Sequence, residues 1–374
     1  MKIGIDISQI AYKGTGVARY TDNLVRSILT YDSKNEYTFF FSSLRLDLDK
    51  ELETEIKQKH KLVKVKLPPK FLDMLWNQLH ILPIERFIGT QDIFISSDWT
   101  QPPSSAKKVT IVHDLVYLRY PETVHKKILD VQKRRLNLVK KEVDIILADS
   151  QATKDDLIEL LTIPKEKIHV LYPAVDIKKS SLPLTTNYQL PTTKYILSVG
   201  KLEPRKNIGR LIEAFKLVNL PDTELLIIGP KGWGEEGRRS MGDRGGRRSR
   251  GGEDGNIRFL GFVPDDKLYK LYSNAEFFVY PSLYEGFGYP VIEAMAMGCP
   301  VATSNTSSLK EIGKDSVLLF DPKNVESIKD ALVTMASNSK IREKYKEKGL
   351  SESKMYTSGV YIKNLLHILF TYPS

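Results

Sequence analysis

The chain has 374 residues, 41% hydrophobic and 27% charged, which suits two globular domains with real cores. No run reaches the ~20 apolar residues of a membrane span, and the single cysteine, Cys299, excludes a disulfide framework or a cysteine-based zinc site. Of the net charge of +10, half comes from six Arg and one Asp between Arg238 and Arg250, so the rest is a mild excess. That excess suits anionic substrates or an anionic membrane surface, not a nucleic-acid footprint.

The N-terminus, Met1-Lys2-Ile3-Gly4-Ile5-Asp6-Ile7, reads as a buried strand without a signal peptide's cleavage region. A cytoplasmic setting is the expectation. Strands are predicted at Ile3–Ile7, Tyr37–Phe41, Val63–Leu67, Asp92–Ser96, Val109–His113 and Asp144–Ala148, with helices at Val17–Leu29 and Lys126–Lys141. Strands separated by helical patterns argue for a parallel doubly wound sheet. The stretch Asp176–Lys194 is rich in Ser, Thr and Pro and reads as a linker. The pattern then restarts, with strands at Tyr195–Val199, Glu224–Ile228, Asn256–Leu260, Phe277–Tyr280 and Pro300–Thr303 and a helix at Ile208–Leu217. The expected division is an N-terminal domain over 1–176, a linker over 177–194, a C-terminal domain over 195–355 and a final helical segment over 356–374. In such α/β sheets ligands bind at the carboxyl ends of the strands.

One segment breaks the rhythm. Glu235–Asn256 holds one apolar side chain, Met241, and seven glycines. It has no apolar face to pack, so a loose or disordered loop is expected. Its Arg/Gly-rich part, 237–252, imitates an RNA-binding box. Outside Arg238–Arg250 the chain uses 39 Lys and 11 Arg, whereas inside it uses six Arg and no Lys, which suggests a replaced segment.

The densest motif is Tyr284-Glu285-Gly286-Phe287-Gly288-Tyr289-Pro290-Val291-Ile292-Glu293. It reads as strand, glycine turn and helix, with Pro290 at the first helical position, Glu293 in the first turn and Gly298 as the stop. Two carboxylates eight apart can accept from sugar hydroxyls, and the turn's N–H groups and helix start favour a phosphate. Upstream, Gly200-Lys201-Leu202-Glu203-Pro204-Arg205-Lys206-Asn207 follows a strand and precedes a helix, and offers a guanidinium fork and a point charge to a diphosphate. Gly14-Thr15-Gly16-Val17 follows the first strand, but Arg19 stands where a dinucleotide fingerprint needs its third glycine. His113-Asp114 ends a strand. Ser308-Leu309-Lys310-Glu311 reads as a capping box. Asp47-Leu48-Asp49 lies in a charged stretch with no strand ending in it, which argues against a metal site. The basic helix Lys126–Lys141 reads as a solvated face, with anionic lipid contact as the alternative. Cys299 and Met295 read as packing residues.

Together these motifs resemble the retaining glycosyltransferases of family four, with their E-x7-E signature, over nearly the whole chain. The resemblance implies two Rossmann-like doubly wound domains facing across a cleft, the GT-B fold. It implies transfer of a hexose, mannose favoured, from a nucleotide-diphosphate sugar to a saccharide or lipid-linked saccharide. The expected catalytic residues are Glu285, His113, Arg205 and Lys206; the expected donor-binding residues are Gly16, Lys201, Phe287, Gly288 and Glu293. Many members carry Arg where this chain has Lys201. No metal, cofactor or nucleic acid is expected, and a peripheral contact with an anionic membrane at its cytoplasmic face is. The C-terminal helix, near Tyr361–Phe370, is expected to cross back to the N-terminal domain, although Tyr356-Thr357-Ser358-Gly359 departs from the family's aromatic-Ser-Trp anchor. Acceptor choice is expected from N-terminal loops such as Phe71–His80 and Ser97–Ser104. Two other functions fit: a nucleotide-sugar epimerase of the same architecture, or RNA binding through 237–252.

Overall fold

A computed structural model describes residues 1–175, 177, 191–230, 232 and 255–372. Most of the expected linker and the whole Arg/Gly-rich stretch 237–252 lie outside the described residues, as do positions 235–254 of the anomalous segment. The chain divides into two compact units, Met1–Asp176 with Tyr356–Ser374, and Ile177–Met355.

In the first unit seven parallel strands form one sheet in the order β3-β2-β1-β4-β5-β6-β7. They are β1 (Lys2–Asp6), β2 (Glu36–Ser42), β3 (Lys61–Val65), β4 (Ile93–Ser96), β5 (Lys107–Val112), β6 (Ile145–Ala148) and β7 (Ile168–Val170). Central strands such as Ile93–Ser96 and Ile145–Ala148 are buried at every position, because helices cover a parallel sheet. In the second unit six parallel strands follow the order β10-β9-β8-β11-β12-β13. These are β8 (Lys194–Val199), β9 (Thr223–Ile228), β10 (Ile257–Gly261), β11 (Phe277–Tyr280), β12 (Val301–Ser304) and β13 (Leu318–Phe320). Each sheet is Rossmann-like, and each reverses its strand order once, between β1 and β4 and between β8 and β11. Such switch points open a crevice beyond the strands' carboxyl ends.

Several local expectations need correction. Strand β3 begins two residues earlier than predicted, at Lys61. Phe71–His80 is not a loop: it contains the end of a short helix, Pro69–Leu72, and a π-helical turn, Asp73–Gln78. The Asp47-Leu48-Asp49 stretch leads into an unexpected helix, Lys50–Lys59, whose first amides donate to the Asp49 carboxylate. Ser308 does not cap a helix. It lies inside Ser307–Gly313, and its hydroxyl donates to the carbonyls of Glu285 and Phe287.

The basic helix, Lys126–Glu142, is more than a solvated face. Arg135 is fully buried, and donates to Asp98 Oδ1 at 3.1 Å, Thr110 Oγ1 at 2.8 Å and the Ile111 carbonyl at 2.7 Å. The departing motif before the last helix, Ser358–Thr371, is firmly seated. The Val175 amide donates to the Tyr356 carbonyl at 2.7 Å, Ser27 Oγ to Ser358 Oγ at 2.6 Å, and the Tyr20 and Tyr361 hydroxyls lie 2.7 Å apart. This helix therefore packs on Gly16–Tyr31 and belongs to the first unit. Met295 and Cys299 are buried, as packing residues would be, and burial pushes the Cys299 thiol far up.

Removing Arg135 strands the Asp98 carboxylate and two acceptors. Arg135→Ala should lower the stability of the first unit by about 3 kcal/mol, measured by denaturant unfolding, whereas substitution of the exposed Lys133 should change it by less than about 0.5 kcal/mol.

Candidate active site

In the second unit the site is built from the loops that leave β8 and β11, the two strands flanking the switch point. The first loop is folded by backbone constraints. A Cβ on Gly229 would lie 1.9 Å from the Gly200 carbonyl oxygen, so the chain after β9 approaches the turn as closely as it does only because it carries glycine there. Asn207 sits in the left-handed region at φ 59°, where Asn is tolerated better than most residues. Its amide donates to the carbonyls of Pro281 and Pro322, at 3.0 and 2.7 Å. This aims Arg205 and Lys206, on the short turn Pro204–Lys206, at the second loop.

The two cations converge on Glu285. Lys206 Nζ lies 2.6 Å from Oε1 and Arg205 Nη1 2.7 Å from Oε2. The Tyr280 hydroxyl donates to Oε1 at 2.9 Å, and Arg205 Nη2 reaches Glu203 at 2.8 Å. Burial alone would raise the Glu285 carboxyl, but Arg205 and Lys206 outweigh it and hold it at about 2. Burial pulls Lys206 below its ordinary value against the pull of Glu285. Glu285 is thus a fixed anion at neutral pH.

The glycine turn is held from below. Ser307 Oγ accepts from the Glu285 amide at 3.0 Å, and Ser308 binds the carbonyls on either side of Gly286. Gly288 adopts φ 107°, and a Cβ there would meet Leu309 at 2.7 Å. The helix is Tyr289–Ala296, so Pro290 is its second residue and Glu293 its fifth. Both positions correct the sequence reading, which had Pro290 first and Glu293 in the first turn. Glu293 is buried, with the Tyr272 hydroxyl donating to it at 3.4 Å. Lys201 is exposed. The structure therefore joins Arg205, Lys206 and Glu285 in one cluster, carries Phe287 and Gly288 on the adjoining turn, and buries Glu293 on the helix that follows, against Tyr272.

The remaining candidates lie in the first unit. Gly16 opens the helix Gly16–Tyr31 behind Thr15, whose hydroxyl accepts from the Ala18 amide, and a Cβ at Gly16 would meet nothing within 4 Å. His113 follows β5, and its Nδ1 lies 2.8 Å from Asp149 Oδ2. Tyr20 meets the imidazole edge-on with ring centroids 4.6 Å apart. Burial disfavours the imidazolium, but Asp149, with Asp98 and Asp114, overcomes it and lifts His113 to about 9. Burial likewise raises Asp149, to about 6, so the pair is ionised at neutral pH.

Asp149 is not among the site residues expected from the sequence. Register carried the signal: Val112 pairs with Ala148 between β5 and β6, so the next residues of both strands, His113 and Asp149, stand side by side. Among the described residues no three His, Cys, Asp or Glu side chains gather as metal ligands would. No helix among them is long and apolar enough to cross a membrane.

This architecture, two parallel sheets with glycine-rich turns at their switch points, defines a class. Residues 187–351 match the model of the glycosyl transferases group 1, and residues 14–179 that of glycosyltransferase family 4. The chain belongs to these glycosyltransferases. It is 30% identical over 375 residues to the O-antigen chain mannosyltransferase B of Escherichia coli, covering 96% of each chain. It is 30% identical over 229 residues, 60% of each chain, to the Campylobacter jejuni N-acetylgalactosamine-N,N'-diacetylbacillosaminyl-diphospho-undecaprenol 4-alpha-N-acetylgalactosaminyltransferase. Its fold is similar to that of sucrose-phosphate synthase from Thermosynechococcus elongatus, with a TM-score of 0.74 at 17% identity over 99% of both chains. The fold is GT-B.

The raised His113 favours folding fully below pH 6.5 and loses that contribution as pH rises through about 9. Asp149→Asn should drop the His113 pKa by roughly 1–3 units, read by NMR of the ring nitrogens. The fall in stability of the first unit above pH 6.5 should flatten with it. An unchanged titration would show that Asp149 does not set the charge.

Proposed function

We propose that this glycosyltransferase is retaining and metal-independent. In this reading it moves a hexose, mannose favoured, from a nucleotide-diphosphate sugar to a hydroxyl of a saccharide or lipid-linked saccharide. The observation that carries the reading is the Arg205–Lys206–Glu285 cluster at the switch point of the second sheet. Two cations fixed before substrate arrives supply the electrostatic stabilisation that a departing diphosphate needs, without reorganisation at the moment of reaction. They take the place that a divalent ion fills in other phosphate chemistry.

Glu285 is held ionised and its oxygens accept from Lys206, Tyr280 and Arg205, which makes it a poor nucleophile and a poor proton donor. Its role in this reading is to orient the cations and the sugar hydroxyls, with the N–H groups of Phe287 and Gly288. The leaving phosphate oxygen then takes the acceptor's proton on the same face of the sugar. Glu293 accepts from the ribose hydroxyls, and Lys201 adds charge beside the diphosphate. Gly16 and His113, both on the first unit, keep the donor-side roles that the resemblance implies, His113 as an imidazolium.

The preference for mannose draws on the mannosyltransferase relative that matches 96% of the chain, and the preference for a GDP-linked donor on the resemblance of the Leu202–Asn207 and Asp98–Thr100 segments to mannosyltransferases. The lipid-linked acceptor draws on the Campylobacter relative, whose name contains diphospho-undecaprenol. A growing polysaccharide at the cytoplasmic face of a membrane fits both.

Melting of the full chain with GDP, UDP and ADP tests the donor site. At a hundredfold excess over Kd, the nucleotide that binds should raise the midpoint by roughly 5 °C or more. GDP is expected to do so, and Glu293→Ala to remove the shift. A shift with UDP alone would overturn the GDP assignment, and no shift with any nucleotide would overturn the donor site. Glu285→Gln should cut kcat by on the order of a hundredfold while the nucleotide-induced shift persists; equal losses in both would contradict its orienting role.

A further inference from the structure

The two cations of the cluster differ in what it takes to fix them. A guanidinium is a rigid fork, and Arg205 is gripped on both prongs, Nη1 by Glu285 and the Tyr284 carbonyl and Nη2 by Glu203. An ammonium is a point charge on a stem of rotatable bonds, and it holds one place only when contacts come from more than one direction. Tyr280 supplies the second direction to Lys206. Its hydroxyl accepts from Lys206 Nζ at 2.7 Å and donates to Glu285 Oε1 at 2.9 Å, the same oxygen that Lys206 reaches at 2.6 Å. The three groups close a triangle whose proton directions are forced. An ionised carboxylate only accepts and an ammonium only donates, so the phenol does one of each. The ammonium also stands 5.1 Å from the centroid of the Tyr280 ring, within cation–π range.

Tyr280 itself has little freedom. It ends β11 and is buried, its ring stacks on Phe278 with centroids 5.7 Å apart, and its carbonyl accepts from Thr303 Oγ1 on β12 at 2.9 Å. A strand places a group more precisely than a loop does, and Lys206 sits on the short turn Pro204–Lys206. The hydrogen-bond count then decides what Lys206 has left. Of its three N–H groups, Glu285 and Tyr280 take two, and the third has no partner among the described residues. The charges that face it are Glu285 from the loop after β11 and Arg205 and Glu203 from the loop after β8. Burial pulls Lys206 below its ordinary value against Glu285, and burial beside Glu285 pushes the Tyr280 hydroxyl well up, so it stays a phenol. An ammonium in that state needs every acceptor it has to keep its proton.

We propose that Tyr280 is a positioning residue for the transfer: its hydroxyl and ring fix the Lys206 ammonium so that one N–H is left for the leaving diphosphate. The proposal rests on the diphosphate reading of this cluster, and the nucleotide-induced melting shift reports on that reading separately.

NMR of the full chain labelled at lysine tests the proposal. In the wild type the Lys206 ammonium protons should exchange slowly with water at neutral pH and show a nuclear Overhauser contact to the Tyr280 ring. A fast-exchanging ammonium without that contact would overturn the proposal before any variant is made. Tyr280→Phe keeps the ring and removes an acceptor of the ammonium, so the Lys206 titration should move to lower pH. With GDP-mannose as donor the same variant should turn over roughly tenfold more slowly. The alkaline limb of kcat should move down with the titration, while the nucleotide-induced melting shift persists. In a Lys206→Met background the substitution should cost a further factor of less than about two, because Tyr280 acts through Lys206. Tyr195→Phe removes another buried hydroxyl bond of this unit, to the Leu271 carbonyl, and should leave the titration and kcat as they are. An unmoved Lys206 titration, an unchanged kcat in Tyr280→Phe, or losses at Tyr280 and Lys206 that simply multiply would each overturn the proposal. A wild type whose melt no nucleotide shifts would overturn the donor-site reading, and with it the purpose given to Tyr280, even where the titration moves as expected.

Discussion

A carboxylate taken out of water must find positive charge, or give up its own. Glu285 meets that constraint by drawing two consecutive basic residues from a different strand end, and much of the second unit is arranged around the meeting. The arrangement ties the loop after β8 to the loop after β11 across the point where strand order reverses. Gly229 lets the chain after β9 close on Gly200, Asn207 accepts the left-handed turn that aims Arg205 and Lys206, and Ser307 and Ser308 fix the far side of the glycine turn. These residues are individually modest. Together they make a small rigid cage whose charges are already in place, which is what stabilising a leaving diphosphate asks of a protein.

The first unit answers the same physics in a different way. Parallel pairing places the residues that follow β5 and β6 side by side, so His113 and Asp149 meet without any special loop. Burial then sharpens the pair, because a shielded imidazole keeps its proton only while a carboxylate stands against it. Arg135 and Asp98 repeat the device one helix away, and Tyr361 on the last helix reaches Tyr20, whose ring packs on His113. The C-terminal segment thus belongs to the support of His113 as much as to the surface.

Much of this was legible in the linear chain. Continuous apolar runs such as Ile93–Ile95 and Phe277–Tyr280 can pack only as buried parallel strands, and the turn residues after them mark the sheet's carboxyl edge. Arg205, Lys206 and Glu285 could be singled out by type and setting, but not as one cluster. Their contact depends on β8 and β11 being neighbours, which follows from tertiary pairing and not from spacing. The meeting of His113 with Asp149 depends in the same way on β5 and β6 being neighbours. Ser308 looked like a cap because its spacing to Glu311 fits one, yet its hydroxyl found nearer acceptors in the turn before it. Polar helices such as Lys50–Lys59 bury only Leu52 and Ile56 and give almost no periodic signal. The segment Phe71–His80 read as a loop, whereas it holds a helix end and a π-helical turn tied from within by Trp76 and His80.

The central claim is that the preset cations receive the departing diphosphate on the face where the acceptor attacks, with Glu285 holding them rather than attacking. The most direct measurement is the anomeric configuration of the product by NMR, with GDP-α-mannose as donor and a saccharide acceptor. The account predicts an α-linked mannose. A β-linked product would place the acceptor on the opposite face of the sugar and remove the Arg205–Lys206–Glu285 cluster from the chemistry proposed for it.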